Sequence, residues 1–152
     1  CPSCKNVHDI LKSFEASSSP DFEIAKKVSF SFRHFPLYQI HNKAYLAAYA
    51  AEAASKQGKF WEMTDLLFDN QLSWEKSNDP QKDYFLTYAR ELKLDVNQFT
   101  KDFNSTEVKN KVNEDLKEAN EMKLNSTPTF FLNGQKVGVN SFDELKTMLK
   151  NL

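Results

Sequence analysis

The spacing of apolar residues divides the chain into an opening helix, a strand, a long helical stretch, a hairpin and a closing helix. Val7, Ile10, Leu11 and Phe14 recur at helical spacing and predict one face of an amphipathic helix. After a polar break at Ser17-Ser18-Ser19-Pro20-Asp21, Val28-Ser29-Phe30-Ser31-Phe32-Arg33 alternates with period two and predicts a half-buried strand, ended by His34-Phe35-Pro36-Leu37. From about Asn42 the pattern is helical for roughly eighty residues. The alanine-rich Ala44–Ser55 stretch has high helix propensity, Gly58 punctuates it, and a segment from Phe60 to Phe68 follows. Asp79-Pro80 pairs a capping residue with a first-turn proline, opening a helix whose apolar face is Tyr84, Phe85, Tyr88 and Leu92. Asp95 caps a short helix carrying Phe99 and Phe103. Asn104 followed by Glu107 reads as a capping box, leading into Val108, Val112, Leu116, Ala119 and Met122. The mixed charges of that helix read as a solvated face.

The final section changes character. Pro128-Thr129-Phe130-Phe131-Leu132 is a nearly continuous apolar run, which predicts a strand buried on both faces. Asn133-Gly134 is a strong hairpin turn, and Gln135–Val139 is the returning strand. Ser141 with Glu144 forms another capping box, starting a helix with Phe142, Leu145, Met148 and Leu149 turned inward. The order is an α/β layout with the helices clustered as an insertion.

Composition narrows the function classes. A chain of 152 residues fits one domain, able to bury about 70% of its unfolded surface. Only 3 Gly and 5 Pro argue against a turn-rich all-β architecture. The 20 basic and 21 acidic residues are interleaved and leave a net charge of -1, so there is no nucleic-acid footprint. No apolar run approaches the length of a membrane-spanning helix. No signal peptide is visible, and because the chain starts with Cys rather than Met, residues upstream are expected to have been removed or left out.

The candidate chemistry sits at the first helix. Cys1-Pro2-Ser3-Cys4 contains both cysteines of the chain, which excludes a disulfide framework. Pro2 suits the first helical position, where a missing N–H costs nothing. Cys1 is then the cap, its sulfur beside the unpaired backbone N–H groups of the first turn. Cys4 lies one turn on, within disulfide reach. Thiols at helix starts in such motifs fall from a pKa of about 8.5 to roughly 3.5–7.5. The helix dipole supplies on the order of 0.3–2 kcal/mol, and one pKa unit is about 1.4 kcal/mol. A moderately acidic Cys1 is therefore expected, with Lys5 adding a little and Pro2 and Ser3 contributing no charge. His8, on the same face but about 10 Å further along the axis, should matter less.

Other readings of the same residues stand beside this one. Cys1 and Cys4 could form half a zinc site with His8, His34 or His41, although His34 and His41 are seven apart and no second CxxC exists. An inert structural disulfide is a further alternative. His34 and His41 read as ordinary partly buried or surface histidines, and Phe60, Trp61 and Phe68 as helical core. Asn104-Ser105-Thr106 and Asn125-Ser126-Thr127 match the glycosylation pattern by chance.

Four motifs recur in one order: Cys-Pro-x-Cys-Lys at a helix start, Phe32-Arg33-His34-Phe35-Pro36-Leu37, Gly58-Lys59-Phe60-Trp61-Glu62-Met63, and Ser126-Thr127-Pro128-Thr129-Phe130-Phe131-Leu132-Asn133-Gly134. Together they resemble the DsbA-like branch of the thioredoxin superfamily, over the whole chain. The resemblance implies a thioredoxin-like fold over 1–152 with a helical insertion at about 42–125. It implies a protein thiol–disulfide oxidoreductase with Cys1 as exposed nucleophile and Cys4 as resolving thiol. Thr127 and Pro128 would form a substrate-binding cis-proline loop, with Pro2, Ser3 and Lys5 tuning the pair. No cofactor or metal is implied beyond the Cys1–Cys4 disulfide. The expected partners are reduced or unfolded proteins and a quinone-linked membrane reoxidase, with no nucleic acid, and the expected state is a monomer outside the cytoplasm, in the bacterial periplasm or envelope. A reductase or isomerase, or a non-catalytic or zinc-binding module, are the alternatives on the same scaffold. Ser126 departs from the Gly frequent before Thr-Pro, and Thr64 stands where relatives often have His. The strand that precedes the CxxC in this fold has no counterpart in the sequence and is expected upstream of Cys1.

Overall fold

The computed structural model describes residues 1–15, 26–76, 83–139 and 141–151. Its elements run α1 (Pro2–Glu15), α2 (Ala44–Ser55), α3 (Phe60–Asp69), α4 (Gln71–Lys76), α5 (Asp83–Glu91), α6 (Val96–Asn104), α7 (Thr106–Glu121), β1 (Phe130–Leu132), β2 (Gln135–Val137) and α8 (Phe142–Lys150). The structure is mostly helical with a small antiparallel sheet. The polar break at 17–21, the Asp79-Pro80 helix start and the side chain of Phe142 lie outside the described residues. Two units divide the chain: one is Cys1–Phe32 with Leu124–Leu152, the other Arg33–Lys123.

The Arg33–Lys123 unit is built on α2. Its alanines, Ala50, Ala51, Ala53 and Ala54, are buried and offer small side chains on which other helices can close. Met63 and Leu67 of α3, Phe85, Tyr88 and Ala89 of α5, and Phe99 and Phe103 of α6 complete that core. Each fully buried large side chain contributes about 1.5–3 kcal/mol. The buried Trp74 indole N–H donates to the Leu67 carbonyl at 2.7 Å, as burial of a polar atom requires.

Asp95 caps α6 as its sequence suggests, accepting from the Gln98 N–H at 2.9 Å. The cap of α7 differs from expectation. Ser105, not Asn104, accepts from the Val108 N–H, at 3.2 Å. Asn104 is still the last residue of α6, and its amide turns back to donate to the Thr100 carbonyl at 2.6 Å. Val108 and Val112 of α7 are buried, while Met122, beyond its end, is exposed. The charged face of α7 is not wholly solvated either, because Asp115 is buried. It accepts from the Arg33 guanidinium at 3.0 Å, the His34 N–H at 3.0 Å and the Lys111 ammonium at 2.7 Å. Trp61, expected in the core, is 46% exposed. Phe60, Met63, Thr64 and Leu67 follow the helical period of α3, and Trp61 falls out of phase with them.

In the other unit Phe14 of α1 and Leu145 and Leu149 of α8 form the core, with Ile10, Leu11, Val28, Phe30, Phe130 and Val139 packed against it. Ser141 caps α8 by accepting from the Glu144 N–H at 3.2 Å. The strand expected at Val28–Arg33 is absent: residues 28–33 belong to no helix or strand. The alternation survives, since Val28 and Phe30 are half-buried and Ser29 and Ser31 exposed. A strand also needs a hydrogen-bonded neighbour, and the described sheet contains β1 and β2 alone.

β1 and β2 pair antiparallel in the register Phe130↔Val137, Phe131↔Lys136, Leu132↔Gln135. Asn133 and Gly134 both have positive φ, 49° and 82°, as a two-residue hairpin loop of right-handed twist demands. β1 is covered on one face rather than two. Phe130 and Leu132 are half-buried, but Phe131 between them is 44% exposed.

Candidate functional site

The site is built at the start of α1. Cys1 precedes the first helical residue, and its carbonyl accepts from the Cys4 N–H at 3.1 Å and the Lys5 N–H at 3.2 Å. The Cys4 N–H also points to the Cys1 sulfur, 3.3 Å away. Cys1 Sγ thus stands where a serine or aspartate oxygen caps a helix, at the positive end of the dipole. Any negative charge on that sulfur is met by an N–H already fixed in place.

The second wall of the site comes from the turn before β1. The Thr127–Pro128 peptide bond is cis. The Thr127 hydroxyl donates to Cys1 Sγ at 3.2 Å, and the Cys1 thiol lies 3.7 Å from the Thr127 carbonyl oxygen. Beyond the proline, the Thr129 hydroxyl closes the turn by donating to the Ser126 carbonyl at 2.8 Å. Cys1, Cys4, Thr127 and Pro128 are all half-buried, whereas Pro2 and Ser3 are exposed. Both cysteines are free thiols.

The two sulfurs differ. Burial pushes the Cys4 thiol above its ordinary value, and the side chain of Thr127 works against that rise without cancelling it. Cys4 therefore holds its proton at neutral pH. The Lys5 ammonium is engaged by the Asp9 carboxylate at 2.9 Å, one turn further along α1, so its charge is directed along the helix away from the N-terminus. His8 is buried.

The other histidines are occupied within the Arg33–Lys123 unit. His34 Nε2 is 2.9 Å from a Glu52 carboxylate oxygen, and His41 Nδ1 is 2.6 Å from one of Glu75. Among the described residues no three His, Cys, Asp or Glu side chains gather where they could hold a metal ion. Thr64, given no role from sequence, is buried and donates to the Phe60 carbonyl. The sequence places Thr127 in a substrate-binding loop but does not reveal that its hydroxyl reaches Cys1 Sγ. A hydroxyl-bearing residue directly before the proline of a loop facing a thiol was the available signal. Asp115 was missed because an aspartate among lysines and glutamates looks solvated.

A family model described as thioredoxin matches residues 1–151. A Na(+)/H(+) antiporter NhaA 1 of Mycolicibacterium gilvum is 37% identical over 138 residues, covering 90% of this chain and 20% of that protein. The protein of the same name from Mycolicibacterium vanbaalenii is 38% identical over 136 residues, 88% of this chain and 20% of its own length. A Na(+)/H(+) antiporter NhaA of Herminiimonas arsenicoxydans is 37% identical over 105 residues, 69% of this chain and 16% of its own. The chain thus spans about a fifth of the length of the curated relatives it matches. No solved structure matches it. Among the described residues no helix is long and apolar enough to cross a membrane. Paired thiols at a helix start, set against a cis-proline turn, have their counterpart in a sequence match running to within one residue of the end, and the chain belongs to the thioredoxin family.

Proposed function

We propose that this chain is a thiol–disulfide oxidoreductase that introduces disulfides into protein substrates, in the manner of the DsbA-like branch, with Cys1 as nucleophile and Cys4 as its partner. The observation that carries the reading is the environment of Cys1 Sγ, with the Cys4 N–H at 3.3 Å and the Thr127 hydroxyl at 3.2 Å. Both donors favour a negative sulfur, and a stabilised thiolate is a good leaving group.

The exchange starts from the Cys1–Cys4 disulfide. A substrate thiolate attacks Cys1 Sγ and forms a mixed disulfide. The Cys1–Cys4 bond breaks, and its electron pair leaves on Cys4 Sγ. Burial disfavours charge on that sulfur, so Cys4 takes up a proton. A second substrate thiolate then attacks the substrate sulfur of the mixed disulfide, and the electron pair leaves on Cys1 Sγ at the helix start. The substrate has lost two electrons and the pair has gained them. The Thr127–Pro128 turn is the surface on which an extended substrate segment lies beside Cys1, its backbone pairing with that of Thr127.

The proposal places the site outside the cytoplasm, in a periplasm or envelope, in a monomer that handles reduced or unfolded proteins and not nucleic acid. A quinone-linked membrane partner takes the two electrons on. It concerns the region shared with the antiporter-named relatives, about a fifth of their length. The test supplies the oxidised chain to a reduced, unfolded protein and counts substrate thiols. Loss of two substrate thiols per oxidised pair is expected, with none in Cys1→Ser; Cys4→Ser, offered a substrate disulfide instead, should hold a mixed disulfide on Cys1 as that S–S bond breaks. Full activity of Cys1→Ser would reject the reading.

A further inference from the structure

Beside the thiols, α1 carries a charged pair that the exchange above leaves out. Cys1, Lys5 and Asp9 recur every four residues, which sets them on one helix face, a turn apart. The Lys5 N–H donates to the Cys1 carbonyl at 3.2 Å, so Lys5 stands one turn from the sulfur that meets substrate. Its ammonium nevertheless reaches both oxygens of the Asp9 carboxylate, at 3.0 and 2.9 Å. That direction runs against the lean of long helical side chains toward the N-terminus. A lysine N-terminal to its acid is also the weaker order for such a pair, and Asp9 is exposed, so the grip is loose. The turn that faces Cys1, residues 125–131, carries no charged side chain, and His8 of α1 is buried. Of the two lysines of α1, Lys5 and Lys12, Lys5 is the one a turn from Cys1.

Resting on the oxidoreductase reading, we propose that Asp9 is a positioning residue: it competes with the Cys1 sulfur for the Lys5 ammonium and keeps the pair a milder oxidant than its helix start would otherwise make it. Negative charge arrives on Cys1 Sγ when the mixed disulfide is resolved. A lysine turned toward that sulfur stabilises the charge, and a lysine held by Asp9 does so less. Stabilising the thiolate favours the dithiol over the disulfide, which strengthens the oxidant. Asp9 acts through Lys5 and transfers no proton. Its own carboxylate lies two turns from Cys1, about 12 Å along the axis. That exceeds the screening length of about 10 Å at about 0.1 M salt, so its direct repulsion of the thiolate is small beside the placement of Lys5.

The experiment measures the pH profile of Cys1 alkylation and the equilibrium with glutathione buffers in wild type, Asp9→Asn, Asp9→Glu, Lys5→Met and the Lys5→Met/Asp9→Asn double variant. Asp9→Asn should lower the Cys1 midpoint by about 0.5 pH unit at about 0.1 M salt, a threefold gain in ionisation and an ordinary size for exposed charges. The glutathione equilibrium should move about two- to threefold toward the dithiol in the same variant. Asp9→Glu keeps a carboxylate for Lys5 and should stay within about 0.2 pH unit of wild type. Salt at about 1 M cuts the screening length to about 3 Å and should erase most of the Asp9→Asn shift. With Lys5→Met already in place, Asp9→Asn should move the midpoint by less than about 0.2 pH unit. An unmoved midpoint in Asp9→Asn, a Glu variant that moves as far, a shift that survives high salt, or an equal shift with Lys5 replaced would each overturn the inference. Failure of the wild-type chain to oxidise a reduced protein would instead remove the functional reading, and the alkylation midpoints would still report on Asp9 and Lys5.

Discussion

Residues of the same type behave differently here because of what surrounds them. Cys1 and Cys4 are three positions apart, yet one caps a helix beneath a hydroxyl and the other is held neutral by burial. Asp115 presents the opposite case to Cys4. Burial pushes its carboxyl up, but the Lys111 ammonium, the His34 N–H and the Arg33 guanidinium outweigh it, leaving Asp115 below the ordinary carboxylate value. A depressed folded-state pKa means stability that is present above the unfolded value and lost as pH falls through the folded one. Asp115→Asn should therefore cost about 2 kcal/mol at neutral pH, the scale of a hydrogen bond to a charged group. Urea denaturation should show the gap between variant and wild type closing below pH 3.8, the ordinary carboxylate value. An equal gap at every pH would mean that packing, and not charge, is what Asp115 supplies.

At the scale of single elements, local chemistry decided most of what the sequence revealed. The caps at Asp95 and Ser141 and the Asn133-Gly134 turn depend on two to four neighbouring residues, and each was legible in advance. The α7 start misled because Asn104 and Ser105 both suit a cap, and they are separated by where their side chains go: the Asn104 amide donates back to the Thr100 carbonyl, while the Ser105 hydroxyl accepts from the Val108 N–H. Ser105→Ala should thus destabilise the chain by about 1 kcal/mol in thermal or urea unfolding, with Asn104→Ala costing less; the reverse order would restore the sequence expectation. The turn makes a second prediction. Gly134 has φ of 82° with nothing within 4 Å of an added Cβ, so Gly134→Ala is strained by its backbone alone, about 1–2 kcal/mol. The same unfolding measurement checks it, and a loss below about 0.3 kcal/mol, well under that scale, would contradict the turn geometry. Val28–Arg33 was not legible as it stands, because a period-two pattern reports burial while a strand also requires a partner along its edge.

For the molecule as a whole, the family and the positions of the thiols were readable from four short motifs, since these recur in a fixed order and one of them carries both cysteines. The division at Phe32 and Leu124 into two units rests on long-range packing, which no local pattern encodes. The same limit hid the Thr127 hydroxyl, 126 positions from the sulfur it touches. Core substitutions test the helical unit apart from the thiols. Phe99→Ala, at a fully buried position shared with Phe103 and Phe85, should cost about 3–5 kcal/mol, and an unchanged unfolding midpoint would contradict that core.

The central claim is that Cys1 is the sulfur through which exchange enters. Its most direct measurement is site-resolved alkylation of the reduced chain with iodoacetamide at rising pH, read by mass spectrometry of each cysteine. The account predicts that Cys1 is modified first and Cys4 only at more alkaline pH. Modification of Cys4 ahead of Cys1, or of both together at the pH of a free thiol, would contradict it.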